Sequence, residues 1–265
     1  MIQKSDFSCS RGGLTIRGLE FLPETCEGKL PAAIISHGFT ANYDSVEAYA
    51  RQFAEWGFAA YCFDFCGGCA VGRSDGKQSD MSVLTEREDL KAVMDYVQSR
   101  SYVGSAPVIL MGCSQGGFVS ALTGAQLPER VSALVLFYPA LCIPDNAREG
   151  SMVTAKFDPN NIPEIIPCGP MTLGRVYPAS VLEMDPFEET RSFPGPVLLV
   201  HGTSDGLVNV SYSEKAYQAY TDGQPESHPE KRLVLIEGAD HGFAPQYDEI
   251  AVASVKQFLQ DNRLL

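Results

Sequence analysis

The hexapeptide Gly112-Cys113-Ser114-Gln115-Gly116-Gly117 follows directly on the apolar run Val108-Ile109-Leu110-Met111 and leads into a helical pattern from Phe118. Its spacing is G-x-S-x-G between a strand and a helix. The glycines let the backbone turn sharply and present one serine hydroxyl above a helix amino terminus. A plain glycine-rich turn has the same letters, so the partners decide between the two readings. A serine hydroxyl is a weak nucleophile near neutral pH and needs a general base, usually an imidazole held by a carboxylate. The chain has four histidines. His228 lies in a polar stretch, Glu226-Ser227-His228-Pro229, and reads as a solvated surface residue. His37 and His201 each end an apolar run, where packing and hydrogen bonding at a sheet edge are the commoner roles. His241, in Gly238-Ala239-Asp240-His241-Gly242-Phe243, sits between the last apolar run and the last helical pattern, where a base for Ser114 belongs. Asp205, in His201-Gly202-Thr203-Ser204-Asp205-Gly206, precedes it in the order serine, acid, histidine. Asp240 is a rival acid, but adjacent residues rarely turn their side chains toward each other. The oxyanion of an acyl-transfer intermediate needs backbone donors. The amide of Gln115, just after the serine, and that of Phe39, in His37-Gly38-Phe39-Thr40, are the candidates.

These groups need a scaffold that brings distant loops to one edge. Short apolar runs at Ala32 to Ser36, Phe58 to Phe63, Val108 to Met111, Leu134 to Phe137, Val197 to Val200 and Leu233 to Ile236 read as buried parallel strands. Helical patterns lie between and after them, near Val46 to Trp56, Val83 to Gln98, Gly116 to Ala125, Tyr212 to Tyr220 and Glu249 to Gln260. Such alternation implies a mostly parallel central sheet with helices on both faces, an α/β architecture. Before Pro31, Phe7 to Ser10 and Leu14 to Phe21 around Gly12-Gly13 read as an antiparallel start. From Cys142 to Phe193 the rhythm breaks, prolines recur and no clear strand is seen. This stretch reads as an inserted lid subdomain, residues 142–193, in a core formed by 1–141 and 194–265.

Composition narrows the function. A formal net charge of −13 over 265 residues argues against nucleic acid or an anionic membrane as partner. The amino terminus carries no apolar signal segment and no later run reaches membrane-spanning length, so a cytoplasmic protein is expected. Eight cysteines without an export signal read as free thiols. Cys62, Cys66 and Cys69 have a C-x-x-x-C-x-x-C spacing like that of an iron–sulfur ligand run, but Cys62 sits inside an apolar run and packs as a small hydrophobe. No metal and no organic cofactor are therefore expected.

Taken together, His37-Gly38-Phe39-Thr40, Ser114-Gln115-Gly116-Gly117, His201-Gly202-Thr203 with Asp205, and Asp240-His241 resemble the bacterial cinnamoyl (feruloyl) esterases of the α/β-hydrolase superfamily. The resemblance extends to Asp64-Phe65, Arg73-Ser74-Asp75-Gly76-Lys77 and Met81-Ser82-Val83-Leu84, with a longer loop at Cys66 to Gly72. Inside 142–193 it is carried by Phe157-Asp158-Pro159-Asn160-Asn161-Ile162-Pro163 and Thr172-Leu173-Gly174-Arg175-Val176-Tyr177. The resemblance implies the α/β-hydrolase fold, a lid over the acyl group, and polar lid side chains on the phenolic ring. Tyr177 matches one such position, and Asn146 with the adjacent Asp145 falls nearest another. The expected enzyme cleaves hydroxycinnamate esters through an acyl-enzyme on Ser114, with a small-molecule aromatic ester as its partner. A homodimer is compatible with that reading. A broad carboxylesterase, acylglycerol lipase or thioesterase is the alternative within enzymes. A non-catalytic binding protein on the same fold is the alternative outside them.

Overall fold

The six branched apolar runs become parallel strands in a computed structural model that describes residues 2–24, 28–221 and 230–265. In chain order the elements are β1 (Ile2–Arg11), β2 (Leu14–Pro23), β3 (Ala32–Ser36), α1 (Glu47–Glu55), β4 (Ala59–Phe63), α2 (Val83–Gln98), β5 (Val108–Cys113), α3 (Gln115–Gln126) and β6 (Val131–Phe137). They continue with α4 (Ile143–Arg148), β7 (Ser151–Met152), β8 (Ala155–Lys156), β9 (Ile165–Cys168), β10 (Met171–Gly174), α5 (Val176–Ala179) and α6 (Pro186–Thr190). The chain closes with β11 (Val197–Gly202), α7 (Ser211–Thr221), β12 (Lys231–Ile236) and α8 (Pro245–Asp261).

Eight strands form one sheet in the order β1-β2-β4-β3-β5-β6-β11-β12. From β4 to β12 every pairing is parallel, while β1 and β2 join antiparallel at one edge. The inner parallel strands are buried on both faces, which is why they read as unbroken apolar runs rather than alternating ones. One face packs on α2, α3 and α7 through residues such as Ile34, Leu110, Val93, Phe118 and Ala216. The other packs on α1 and α8 through Ile35, Met111, Phe53, Val255 and Phe258. The doubly covered, mostly parallel sheet is the architecture expected of an α/β-hydrolase.

Three local differences from the expected elements have physical causes. Strand β1 is longer than Phe7 to Ser10, because an outer strand with only Phe7 buried shows no period-two pattern. Helix α8 begins at Pro245, with proline in the first turn, where its missing N–H costs nothing. The stretch 142–193, in which no strand was expected, holds two short hairpins, β7 with β8 and β9 with β10. Strands of two and four residues, one containing Pro167, are too short to carry a periodic signal. The same stretch contributes Ala147, Met152, Leu173 and Val181 to the core on the α2 and α3 side. The loop from Cys66 to Gly72 runs beside the one after β3, with Thr40 bridged to Cys69 and the Ala70 amide bonded to the Thr40 carbonyl. Among the described residues no helix is long and apolar enough to cross a membrane.

The site follows from the strand order. The chain leaves β3 for β4 on one side, then returns to place β5 on the other, so the carboxyl ends of β3 and β5 lie side by side, with Ser36 opposite Gly112. A crevice at such a switch point is where sheets of this kind bind ligands.

Candidate active site

Ser114 caps α3 with φ 54° and ψ −119°, a backbone strained for any residue with a side chain. The neighbouring glycines make the strain possible. A Cβ on Gly112 would lie 2.1 Å from the Gly116 carbonyl oxygen, and one on Gly116 would lie 2.4 Å from that of His37. Strand, turn and helix therefore close on each other, and a Cβ on Gly38 would come within 3.0 Å of the Ser114 Cβ. This proximity carries the loop after β3 against the serine.

His241 arrives from the loop after β12. The Ser114 hydroxyl donates to His241 Nε2 at 3.1 Å, and His241 Nδ1–H donates to Asp205 Oδ2 at 2.7 Å. Asp240 does not share in this line; its Oδ1 accepts the Ala244 amide at 3.2 Å. Asp205 is fully enclosed and its Oδ1 accepts the amides of Leu207 and Val208 at 2.8 and 2.9 Å. Burial alone would raise its pKa. Hydrogen bonds from His201 and His241, joined by the Val208 amide, outweigh that and hold the carboxyl well below the usual carboxylate range. Asp205 is thus an anion fixed in orientation.

His201 is a partner that the sequence reading left as an edge histidine. Its Nε2–H is shared by Asp205 Oδ2 and the Val208 carbonyl, each at 3.0 Å, while Nδ1 accepts the Ser213 hydroxyl at 2.7 Å. The i, i+4 spacing of His201 and Asp205 at a strand end was the available signal. Tyr138 was also missed. Its ring lies 4.6 Å from that of His241 and 4.9 Å from that of Phe243, so it walls the imidazole on one side. His228 lies outside the described residues.

Gln115 opens α3, where an amide has no partner within the helix and the helix dipole favours negative charge. Phe39 lies on the loop that Gly38 seats against Ser114. The Gln115 side chain is buried, its Nε2 donating to Glu86 Oε2 at 2.7 Å and its Oε1 accepting the Tyr177 hydroxyl. Ser82 and Thr85 form a capping box that starts α2 just before Glu86 and sets that carboxyl against α3.

A cavity of about 680 Å³ opens on Ser114 and His241, within the size range of small-molecule sites. Phe39, Gln115 and Tyr138 line it from the core, and Ile143, Asn146, Met152, Val153 and Tyr177 from the stretch 142–193. The rings of Phe39 and Tyr177 lie 5.8 Å apart. Of the three residues expected on the substrate ring, Tyr177 and Asn146 face this cavity. Asp145 does not: its carboxylate accepts the Tyr212 hydroxyl at 2.6 Å and pairs with Arg148 at 2.7 Å, and a surface cation one turn along the helix holds it outward. Asn146 Nδ2 donates to the Cys142 sulfur at 3.5 Å.

The cysteine run does not converge. Cys62 belongs to the core beneath α1 and α8, and Cys66 to the core beneath α2 and α3, on opposite faces of the sheet. The seven described cysteines are free. His37, Asp64 and Cys69 are buried with ligand atoms within 4.8 Å of one another, a spacing a metal ion could bridge. Each atom already has a partner. His37 Nε2 faces the Phe65 amide and the Cys69 sulfur at 3.2 and 3.4 Å, and Asp64 accepts the amides of Tyr43 and Arg73, each at 2.7 Å. Burial also pushes the Cys69 thiol up, so it stays protonated. The cluster ties the loop after β3 to the loop after β4.

Comparisons with known proteins place the chain among the α/β-hydrolases. The Hydrolase_4 family, described as serine aminopeptidase, S33, matches residues 30–177. The chain is similar to Est1E from Butyrivibrio proteoclasticus with ferulic acid bound, at a TM-score of 0.87 and 27% identity, over 98% of this chain and 100% of that one. It is 32% identical over 111 residues to the mitochondrial palmitoyl-protein thioesterase ABHD10 of Mus musculus, covering 41% of this chain and 34% of that protein. The match thus spans about a third of that relative's length. It is 26% identical over 210 residues to the monoacylglycerol lipase of Mycolicibacterium smegmatis, covering 68% of this chain and 72% of that protein.

Proposed function

Because the chain belongs to the Hydrolase_4 family of α/β-hydrolases, and because a serine, a histidine and an aspartate stand in one hydrogen-bonded line on its cavity, we propose that it is a serine carboxylic-ester hydrolase. That line is the observation that carries the reading. Ser114 Oγ attacks the ester carbonyl while its proton passes to His241 Nε2, and the Asp205 carboxylate holds the resulting imidazolium. The amides of Phe39 and Gln115 receive the oxyanion, each such donor being worth about 2.7 to 4 kcal/mol. Collapse of the intermediate breaks the C–O bond, and the alcohol leaves with the proton from His241. Water, deprotonated by His241, then attacks the acyl-enzyme, and the acid departs from Ser114.

The proposed acyl group is a hydroxycinnamate. The rings of Phe39 and Tyr177, packed against each other at the cavity wall, offer an aromatic surface for such a group. The ferulic acid named in the Est1E structure is a molecule of this class. In this reading residues 142–193 act as the lid that closes over the ring. An aliphatic acyl chain is the second reading, favoured by the apolar side chains of Ile143, Met152 and Leu207 around the cavity and by the thioesterase and lipase relatives. Replacing Ser114 with alanine should lower p-nitrophenyl ester turnover by roughly 10⁶-fold with an unchanged melting curve. Retained turnover by the pure variant would refute the nucleophile. Methyl ferulate should outrun a methyl alkanoate of similar length, and the reverse order would select the aliphatic reading.

A further inference from the structure

Glu86 stands apart from the other acids of the chain. The residue is 1% exposed, and among the described residues its carboxyl faces no cation and has one hydrogen-bonding neighbour, the side-chain amide of Gln115 at 2.7 Å. Its Oε1 has no partner, and the backbone closes on it so tightly that a Cβ on Gly68 would lie 2.5 Å away. The ionisable groups around it are Asp89 one turn along α2, whose charge is met by Arg11 at 2.5 Å, and the neutral Cys69 and Tyr177. Burial, reinforced by Asp89 and opposed by the bond to Gln115, raises the Glu86 pKa well above the carboxylate range. An ionised carboxylate with one donor and one orphaned oxygen is strongly disfavoured in this place.

A neutral acid has a proton to place, and its position sets a direction. If Gln115 donates to Oε2, the proton must sit on Oε1, an O–H buried with nothing to accept it. Turning the Gln115 amide by half a rotation exchanges its nitrogen and oxygen without moving a heavy atom. Glu86 Oε2–H then donates to the Gln115 oxygen, and Oε1 is left as a bare carbonyl oxygen, the more tolerable orphan. The Gln115 NH₂ now donates to the Tyr177 oxygen. The Tyr177 proton, with no second acceptor among the described residues, is free for the cavity that Tyr177 and Phe39 line.

We propose that Glu86, held as the neutral acid, orients Gln115 so that the Tyr177 hydroxyl donates into the cavity and selects acyl groups carrying a hydrogen-bond acceptor there. Glu86 is a positioning residue, acting on substrate choice through Gln115. The proposal rests on the reading of Ser114 as the nucleophile.

The test pairs methyl cinnamates bearing a ring methoxy group, at the meta or para position, with their ethyl isosteres. Wild type should prefer one of the methoxy esters by about tenfold in kcat/KM, the order expected for one hydrogen bond. Tyr177→Phe should erase the preference. Glu86→Gln, whose amide can still donate to the Gln115 oxygen, should keep it, and Glu86→Met should lose it. Equal turnover of the pairs by wild type, or a preference surviving Glu86→Met, would overturn the proposal. An infrared difference spectrum of wild type minus Glu86→Gln should show the C=O stretch of a protonated acid. A carboxylate band there would also overturn it, and this arm needs no variant that risks misfolding. Hydrolysis of p-nitrophenyl acetate, too small to reach Tyr177, reports Ser114 separately. If that ester is not cleaved, the nucleophile reading has failed. If it is cleaved but no cinnamate is, the acyl-class reading has failed and the infrared arm decides the state of Glu86.

Discussion

Two histidines meet one carboxylate oxygen at Asp205, and only one of them reaches Ser114. The division of labour is physical. His201 is buried and locked by Ser213 and Val208, so it fixes the carboxylate without moving, while His241, on a loop and partly exposed, can exchange a proton with Ser114. An asparagine at 205 could hold the imidazole only by presenting its amide NH₂ or oxygen, and could not stabilise the imidazolium. Asp205→Asn should therefore lower kcat by about 10⁴ while substrate binding changes little. The same substitution has a pH signature in stability. The folded pKa of Asp205 is depressed below the unfolded value of about 3.9. Its contribution is therefore fully present above that pH and is lost as pH falls toward the folded value. The stability gap between wild type and Asp205→Asn should be constant from neutrality to about pH 5 and should shrink by about 1 kcal/mol by pH 3. Urea titrations across that range check it, and a gap independent of pH would contradict the assigned hydrogen bonding.

At the scale of elements, the turn from β5 to α3 is held by contacts that no side chain can enter. Gly116 has its α-carbon against the carbonyls of Ser36 and His37, where an added methyl would lie 2.6 and 2.4 Å from the two oxygens. Gly116→Ala must push α3 away from β3, costing about 1–3 kcal/mol of stability, or roughly 2–4 °C of melting temperature for each kcal/mol. Activity should fall further than stability, since the same shift parts the Gln115 amide from Phe39. A variant that melts and turns over like wild type would show that the close approach is not needed. This turn was legible in the sequence because glycine at 112 and 116 leaves a mark that other residues cannot imitate. The inner parallel strands were legible for a similar reason, their burial on both faces leaving them as apolar runs. Glu86 was not. In Thr85-Glu86-Arg87-Glu88-Asp89 it looks like one more charge on a solvated helix, and only the approach of Gly68 and Gln115 from distant segments takes it out of water. Asp145 failed in the opposite way. The family resemblance pointed it to the cavity, but Arg148 and Tyr212 gave it better partners outside.

The whole molecule carries a formal charge of −13, yet among the described residues the cavity that holds Ser114 is lined by no acidic or basic side chain except the imidazole of His241. A neutral ester therefore meets the molecule without a long-range electrostatic bias. In the proposed reaction the carboxylic acid released from Ser114 would be an anion at neutral pH, whatever its acyl chain, and would leave into a negative field. The field should expel product and discourage its return. Its reach is set by the ionic strength, about 30 Å at 0.01 M and about 8 Å at 0.15 M. Product inhibition should accordingly be weakest at low salt and strengthen as salt is added, with the inhibition constant for ferulate falling severalfold between these two conditions. The KM for a neutral ester should hardly change over the same range. Measuring both in one buffer series separates the field from any general effect of salt on the fold. An inhibition constant that rises with salt would mean that local positive potential at the cavity, rather than the net charge of the molecule, governs the departure of the acid.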